Sequence, residues 1–290
     1  MIVVTTPTGA IGSKVVRNLL HHHTKVRVIV RDPSRLPDDI RDQVEAIPGS
    51  HGDPDVVNTA FDGADAVFWL VPPNWRATSL DAAYLDFTRP ATEAFVAQGV
   101  QRVVGVSATG RGTPYADKAG LVTAALAMDD LIGGSGVHYR ALALPSFMDN
   151  VLRQRDEIVD DGVYRSPLAP DHKHPACCTK DIAAAATRLL LDDTWTGTGS
   201  QAVLGPEDLS GNDMAAIMAD VLRRPVRYEQ TAPEDFLAGL RASGGSEAIV
   251  QGFYDMMIAK DNGLDNAEPR TTLSSSPTGF RQWCEENLTR

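Results

Sequence analysis

Three cysteines stand in 290 residues, and two of them, Cys177 and Cys178, are adjacent. With only Cys284 besides, they make no disulfide framework. Positive charge is scarce too. The 27 Lys and Arg face 38 Asp and Glu, a net charge of -11. That balance lacks the broad basic surface of a nonspecific nucleic-acid binder. Long apolar runs are missing. Leu19-Leu20 and Phe68-Trp69-Leu70-Val71 are flanked by polar residues and fall far short of the about 20 residues of a membrane span. No charged-then-apolar leader precedes Ile2. Metal-binding spacing is absent as well. His172-Lys173-His174 near Cys177-Cys178 matches none of the paired patterns of structural zinc, and the cysteine pair reads as small packing residues. The expectation is a reduced, cytoplasmic protein without metal, engaging neither nucleic acid nor membrane.

What is present is ordinary globular material, 43% hydrophobic and 22% charged, enough for one large or two modest domains. The most informative stretch is the first. The strand-like run Ile2-Val3-Val4-Thr5 enters Thr6-Pro7-Thr8-Gly9-Ala10-Ile11-Gly12 and then the helical pattern Ser13 onward. A buried strand turning tightly into a helix aims backbone N–H groups at one spot, and the helix dipole adds positive charge there. Glycines let a pyrophosphate approach the backbone closely. A second strand, Val26-Arg27-Val28-Ile29-Val30, follows at the distance that a dinucleotide fold requires. After that strand an acid would bond the ribose hydroxyls of NAD, whereas arginine accommodates the extra phosphate of NADP. Arg31 stands there, with Arg35 one turn later. The reading is NADP(H).

Strands and helices go on alternating. Val44 to Gly49 reads as a third strand, 52–61 as a loop and helix, and Asp65 to Val71 as a strand buried on both faces. A helix is predicted over 84–98, ending at Gly99. Val103 to Ser107 is the fifth strand, 121–131 a helix, and Val137 to Pro145 the sixth strand. Such alternation predicts an α/β fold, a doubly wound parallel sheet of the Rossmann type with helices on both faces. Beyond Pro145 the pattern changes. Residues 149–162 read as a helix, 182–191 as another opened by Thr179-Lys180-Asp181, and 201–204 as a short strand. Helices are predicted from Ser210, from Pro233, over 246–259 and over 278–288, with an ordered loop at 261–277. The predicted division is a dinucleotide-binding domain over 1–145, to which 176–205 returns. A smaller mixed substrate-binding cap takes 146–175 and 206–290.

Ligands bind outside the carboxyl ends of parallel strands. That rule puts the cofactor against Thr6, Thr8, Gly9, Ala10, Ile11 and Gly12, then Arg31 and Arg35. Farther along lie Leu70, Val71 and Pro72, then Ser107, Pro145 and Phe147. Trp75 and Phe147 are the aromatics expected at the same rim. His21-His22-His23 reads as a helix end.

The glycine turn, Phe61-Asp62-Gly63-Ala64-Asp65-Ala66-Val67-Phe68, Gly136-Val137-His138-Tyr139, Phe147-Met148-Asp149-Asn150, Thr179-Lys180-Asp181-Ile182-Ala183 and Gly205-Pro206-Glu207 resemble the NmrA-like branch of the atypical short-chain dehydrogenase/reductases. The resemblance covers nearly the whole chain. It implies an NADP-type Rossmann domain with a small C-terminal substrate domain. It also implies one of two activities: an NADPH-dependent reductase of quinones, ketones or related aromatic substrates, or a redox-sensing regulator that binds the dinucleotide and acts through a protein partner. The chain departs from the family pattern at Thr6, where a glycine is usual. It departs again at Ala127-Met128-Asp129-Asp130, where acids stand on a helix that often carries a lysine. Relatives supply a proton from a tyrosine with a lysine four residues on. Here Tyr115 and Lys118 are three apart, and they are the candidate acid pair, with Ser107 the candidate hydroxyl at the end of the fifth strand.

Overall fold

The computed structural model describes residues 1–289. The chain runs β1 (Ile2–Thr5), α1 (Gly12–His21), β2 (Val26–Val30), α2 (Asp38–Arg41), β3 (Glu45–Pro48), α3 (Pro54–Phe61), β4 (Ala66–Trp69), α4 (Leu80–Ala97), β5 (Arg102–Ala108), α5 (Leu121–Gly133) and β6 (His138–Leu144). There follow β7 (Ser146–Phe147), β8 (Val163–Ser166), β9 (His174–Cys177), α6 (Thr179–Leu191), β10 (Thr198–Ala202), β11 (Asp208–Leu209), α7 (Gly211–Leu222), β12 (Arg227–Gln230), α8 (Pro233–Ala242), α9 (Glu247–Asp261) and α10 (Phe280–Asn287).

Seven strands form one sheet in the order β10-β6-β5-β4-β1-β2-β3, every neighbouring pair parallel. This is the doubly wound Rossmann-type fold the alternation predicted. The order reverses between β1 and β4, and a crevice opens outside the carboxyl ends of strands at such a switch point. Both faces of the sheet are buried, which explains the near-continuous apolar runs. Val4, Val28, Phe68 and Leu142 pack with Val15, Leu19, Ile182 and Ala186 of α1 and α6. On the other face Val3, Val67, Trp69 and Tyr139 pack with Phe61, Phe95, Met128 and Ile132 of α3, α4 and α5.

Two predicted elements come out differently. The helix expected over 84–98 begins at Leu80, because the Ser79 hydroxyl caps it by accepting from Ala82 N at 3.0 Å. The helix expected over 149–162 is present as an unbroken helical run over 148–161 but is irregular, opening as a 3-10 segment (Met148–Gln154) and closing as a π segment (Glu157–Asp161). Met148 and Val151 are both buried there, and three-residue spacing brings such a pair to one face in a 3-10 turn. Asp149 meanwhile points away to accept from Thr179 N at 2.8 Å and Thr179 Oγ1 at 2.7 Å, which satisfies a free amide at the start of α6.

After β6 the chain leaves the sheet, and α6 and β10 return to it. The remainder builds a three-stranded sheet β11-β9-β7 and a two-stranded one β12-β8. Their helices share a second core of Met148, Met214, Met218, Phe280 and Trp283. Helix α9 lies across the rim, packing Ile249 and Phe253 near Ala77 and Ala83, and Ala259 near Ala119 and Val122. Trp75 stacks on Phe253 with ring centroids 5.1 Å apart. The stretch 261–277 includes a 3-10 turn (Leu264–Ala267) and then ladders against Leu204, with Ser276 N donating to Leu204 O at 2.6 Å. Among the described residues no helix is long and apolar enough to cross a membrane.

Candidate active site

The turn between β1 and α1 closes on itself. Gly9 N donates to Thr6 O at 3.0 Å, and Ser13 N donates to Gly9 O at 3.0 Å. Gly12 is sterically required, since a Cβ there would lie 2.2 Å from Thr6 O. Thr6 adopts φ +50°, the left-handed region that favours glycine. Its Oγ1 is buried and has no hydrogen-bond partner among the described residues. An orphan hydroxyl beside a glycine cradle and a helix N-terminus is a donor set suited to a diphosphate. Pro7, Thr8, Ala10 and Ile11 complete the turn, with Thr8 and Ala10 exposed. The neighbouring Thr5 braces the crevice: its Oγ1 donates to Phe68 O at 3.1 Å and accepts from Leu70 N at 2.9 Å.

At the end of β2 the charges divide. Asp32 is held locally, accepting from Ser34 N at 3.0 Å and Ser34 Oγ at 2.7 Å, and these bonds hold its carboxyl below the usual range. Arg31 and Arg35 sit beside it, both exposed, and among the described residues neither guanidinium makes a hydrogen bond or an ion pair; the backbone Arg35 N donates to Asp32 O at 3.1 Å. Leu70, Val71 and Pro72 lie half-buried just past β4. Beneath them His51 is buried, its Nε2 donating to Leu70 O at 3.0 Å. Burial drives its pKa down to about 4, so the ring is neutral. Sequence reasoning missed His51, which carries no motif.

At the other end of the rim Ser107 is buried, and its Oγ donates to Asp129 Oδ2 at 2.6 Å. Tyr139 OH donates to Asp129 Oδ1, also at 2.6 Å. Arg111 approaches Asp129 at 3.6 Å and pairs with Asp130 at 2.9 Å. Burial raises the Asp129 pKa, while the Ser107, Tyr139 and Arg111 contacts oppose that shift. A signal for Asp129 was available, because it is an acid on the buried stripe of α5 with Leu126 and Ile132. Two residues past Ser107, Thr109 Oγ1 donates to Asp265 Oδ1 at 2.6 Å, and Lys260 Nζ donates to the other oxygen of that carboxylate. Lys260, Asp265 and Thr109 are all buried, so this cluster ties the segment after α9 to the end of β5.

Pro145 is buried, and Phe147 lies on β7 beside Cys177 of β9. Tyr115 and Lys118 are exposed at a 3-10 turn (Ala116–Lys118) that packs against α9. No side-chain bond joins them; Lys118 N donates to Tyr115 O at 2.9 Å. His172 and His174 face each other with centroids 6.0 Å apart, and His174 Nδ1 donates to Pro175 O. Two shallow concavities lie by α4 and α5, one at the amino ends of β5 and β6, lined by Val96, Gly99, Ser135 and Gly136 among others. That edge of the sheet is opposite the rim.

Residues 7–193 match the model of a family described as NAD(P)H-binding. The chain is 30% identical to a (4-alkanoyl-5-oxo-2,5-dihydrofuran-3-yl)methyl phosphate reductase of Streptomyces griseus, over 99% of this chain and 98% of that one. It is 27% identical to an NAD(P)H azoreductase of Xenophilus azovorans, over 88% and 86%. The fold is similar to that of the NADPH-dependent quinone oxidoreductase QOR2 of Escherichia coli complexed with NADPH, at a TM-score of 0.81, 21% identity and 100% coverage of both chains.

Proposed function

This chain belongs to the NAD(P)H-binding family, as the NmrA-like resemblance of its sequence implies, and we propose that it is an NADPH-dependent reductase that passes hydride to a quinone or (poly)aromatic ketone at the carboxyl rim of its sheet. The observation that carries the choice of NADPH is the division of charge after β2. Asp32 is engaged by Ser34, while the two exposed guanidiniums of Arg31 and Arg35, with no hydrogen bond or ion pair of their own, stand at the end of the strand next to the glycine turn. Guanidinium forks match phosphate oxygens bidentately. Reduction is supported by the names of the two relatives given above, both reductases.

When bound, the cofactor supplies the hydride. The residues of this chain do the rest. The Thr6 hydroxyl and the amides of the turn hold the diphosphate, and Arg31 and Arg35 hold the ribose phosphate. Ser107, Pro145 and Phe147 bound the nicotinamide end. Helix α9 and the Trp75–Phe253 stack cover the rim and exclude water, and Trp75 and Phe147 present flat apolar surface to an aromatic acceptor. Tyr115 supplies the proton to the reduced oxygen, and Lys118, whose ammonium makes no bond to it, stands exposed on the same turn. Tyr115→Phe should then lower kcat for ketones about 100-fold with KM little changed. An unchanged kcat removes Tyr115 from the reaction.

The test is NADPH oxidation against a panel of quinones and aromatic ketones, with Arg31→Glu alongside. The NADPH-over-NADH preference should fall about 10–100-fold in the variant, the worth of one charge-assisted contact. An unchanged ratio overturns the phosphate assignment. Equal binding of both redox forms with no turnover of any acceptor would overturn the reductase and leave the redox-sensing regulator.

A further inference from the structure

We propose that Asp129 is a positioning residue that fixes Ser107 as a hydrogen-bond acceptor, so that Ser107 Oγ receives a donor from the nicotinamide riboside half of the cofactor. The donor is either the carboxamide N–H or a ribose hydroxyl. The inference rests on the reading above that the cofactor lies along this rim.

A serine hydroxyl has one hydrogen and two lone pairs, and an ionised carboxylate only accepts. The 2.6 Å bond from Ser107 Oγ to Asp129 Oδ2 therefore uses the one hydrogen, and only lone pairs remain to face the rim. Asp129 cannot turn to free it. Its second oxygen is occupied by Tyr139 OH, and Arg111 closes the solvent side by donating to Leu126 O at 2.9 Å while pairing with Asp130. The Tyr139 ring has its place only because residue 105 is glycine, where a Cβ would lie 2.3 Å from the phenol oxygen. Gly105, Tyr139, Asp129 and Ser107 thus form one interlocked unit under the end of β5. A serine held this way is the wrong polarity to activate a substrate carbonyl and the right polarity for an amide N–H or a hydroxyl.

The same geometry says what an amide would do at 129. Tyr139 is 1% exposed, and Asp129 is the acceptor for its phenol hydrogen. In Asp129→Asn the amide oxygen stays with Tyr139, the amide nitrogen faces Ser107 Oγ, and the Ser107 hydrogen swings toward the rim. The variant converts an acceptor into a donor with almost no change of shape.

The experiment measures binding, so it needs no substrate. Calorimetry of NADPH and of its 3-acetylpyridine analogue, in which a methyl replaces the carboxamide amine, is run on wild type, Ser107→Ala, Ser107→Thr, Asp129→Asn and the Ser107→Ala/Asp129→Asn pair. We expect about a tenfold loss of NADPH affinity in Ser107→Ala, at least as much in Asp129→Asn, no further loss in the pair, and wild-type affinity in Ser107→Thr. If the loss vanishes with the acetylpyridine analogue, the donor is the carboxamide; if it persists, the donor is the ribose. A melting curve for each variant separates misfolding from lost recognition, and Ser107→Ala and Ser107→Thr decide the question alone if Asp129→Asn does not fold. NADPH affinity within twofold of wild type in a folded Ser107→Ala overturns the proposal. A wild type that binds no nicotinamide dinucleotide overturns the function reading instead.

Discussion

At the end of the rim proposed for adenosine the polar side chains are unbonded: the exposed Arg31 and Arg35 guanidiniums make no hydrogen bond or ion pair among the described residues, and Thr6 keeps an orphan hydroxyl. At the nicotinamide end they are engaged. Ser107 and Thr109 each give their hydrogen to a buried carboxylate, one from α5 beneath and one from the turn after α9 above. Unpaired polar groups in a folded chain are costly unless water or a ligand meets them. Arg31 and Arg35 are exposed and met by water, so the buried Thr6 hydroxyl is the group at the first end that calls for a ligand, while the second end holds the molecule together. Substitutions in the Thr109–Asp265–Lys260 cluster should cost stability, whereas those at Thr6 and Arg31, and at Ser107 through its remaining lone pairs, should cost affinity.

Lys260→Met should show the largest effect. It leaves Asp265 buried with only Thr109 to meet it, and a buried charge stripped of its partner costs about 3–5 kcal/mol. Urea unfolding should show the loss, and Lys260→Met/Asp265→Asn should recover part of it. An unchanged midpoint would mean that the pair does not hold α9 to the sheet.

His51 should come next, through pH. Its folded pKa of about 4 lies below the ordinary 6.5 of a free imidazole. The unfolded chain takes up the proton first, so the contribution of His51 is complete above about pH 6.5 and is lost as pH falls toward 4. The 2.5-unit gap corresponds to about 3 kcal/mol at most. His51→Gln, which keeps a donor for Leu70 O, should flatten stability across that window. Parallel curves for the two proteins would show that His51 does not set the acid limb.

The smallest effect sharpens the contrast most. Thr6→Gly relieves a left-handed backbone and should raise stability by about 1 kcal/mol, while removing the orphan hydroxyl should weaken NADPH binding. Stability and affinity moving in opposite directions would mark Thr6 as kept for the ligand. If both fall, the hydroxyl has a structural partner.

Much of this protein is written locally, and local features can be read from the chain alone. The β1 turn, the run of buried strands and the arginine after β2 follow from neighbours within a few residues: a glycine that must admit a close carbonyl, an apolar run covered on both faces, a charge at a strand end. Predicted helices over 182–191 and from Ser210 are present because their period is local, as is the Ser210–Asp213 capping box of the second. The helix at 148–161 was legible but its 3-10 and π winding was not, since that shape answers to the cap core and to Thr179 rather than to its own period. Nor were the partners of the engaged end. Thr109 meets Asp265 across 156 positions of sequence, and Ser107 and Tyr139 meet Asp129 only because β5, β6 and α5 converge on one point. Sequence alone determined the nucleotide fold and its glycine turn, because those depend on backbone conformation and short-range spacing. Which hydroxyls remain free to act was decided only by tertiary packing, because a buried carboxylate bonds whatever donors the fold brings within 3 Å of it.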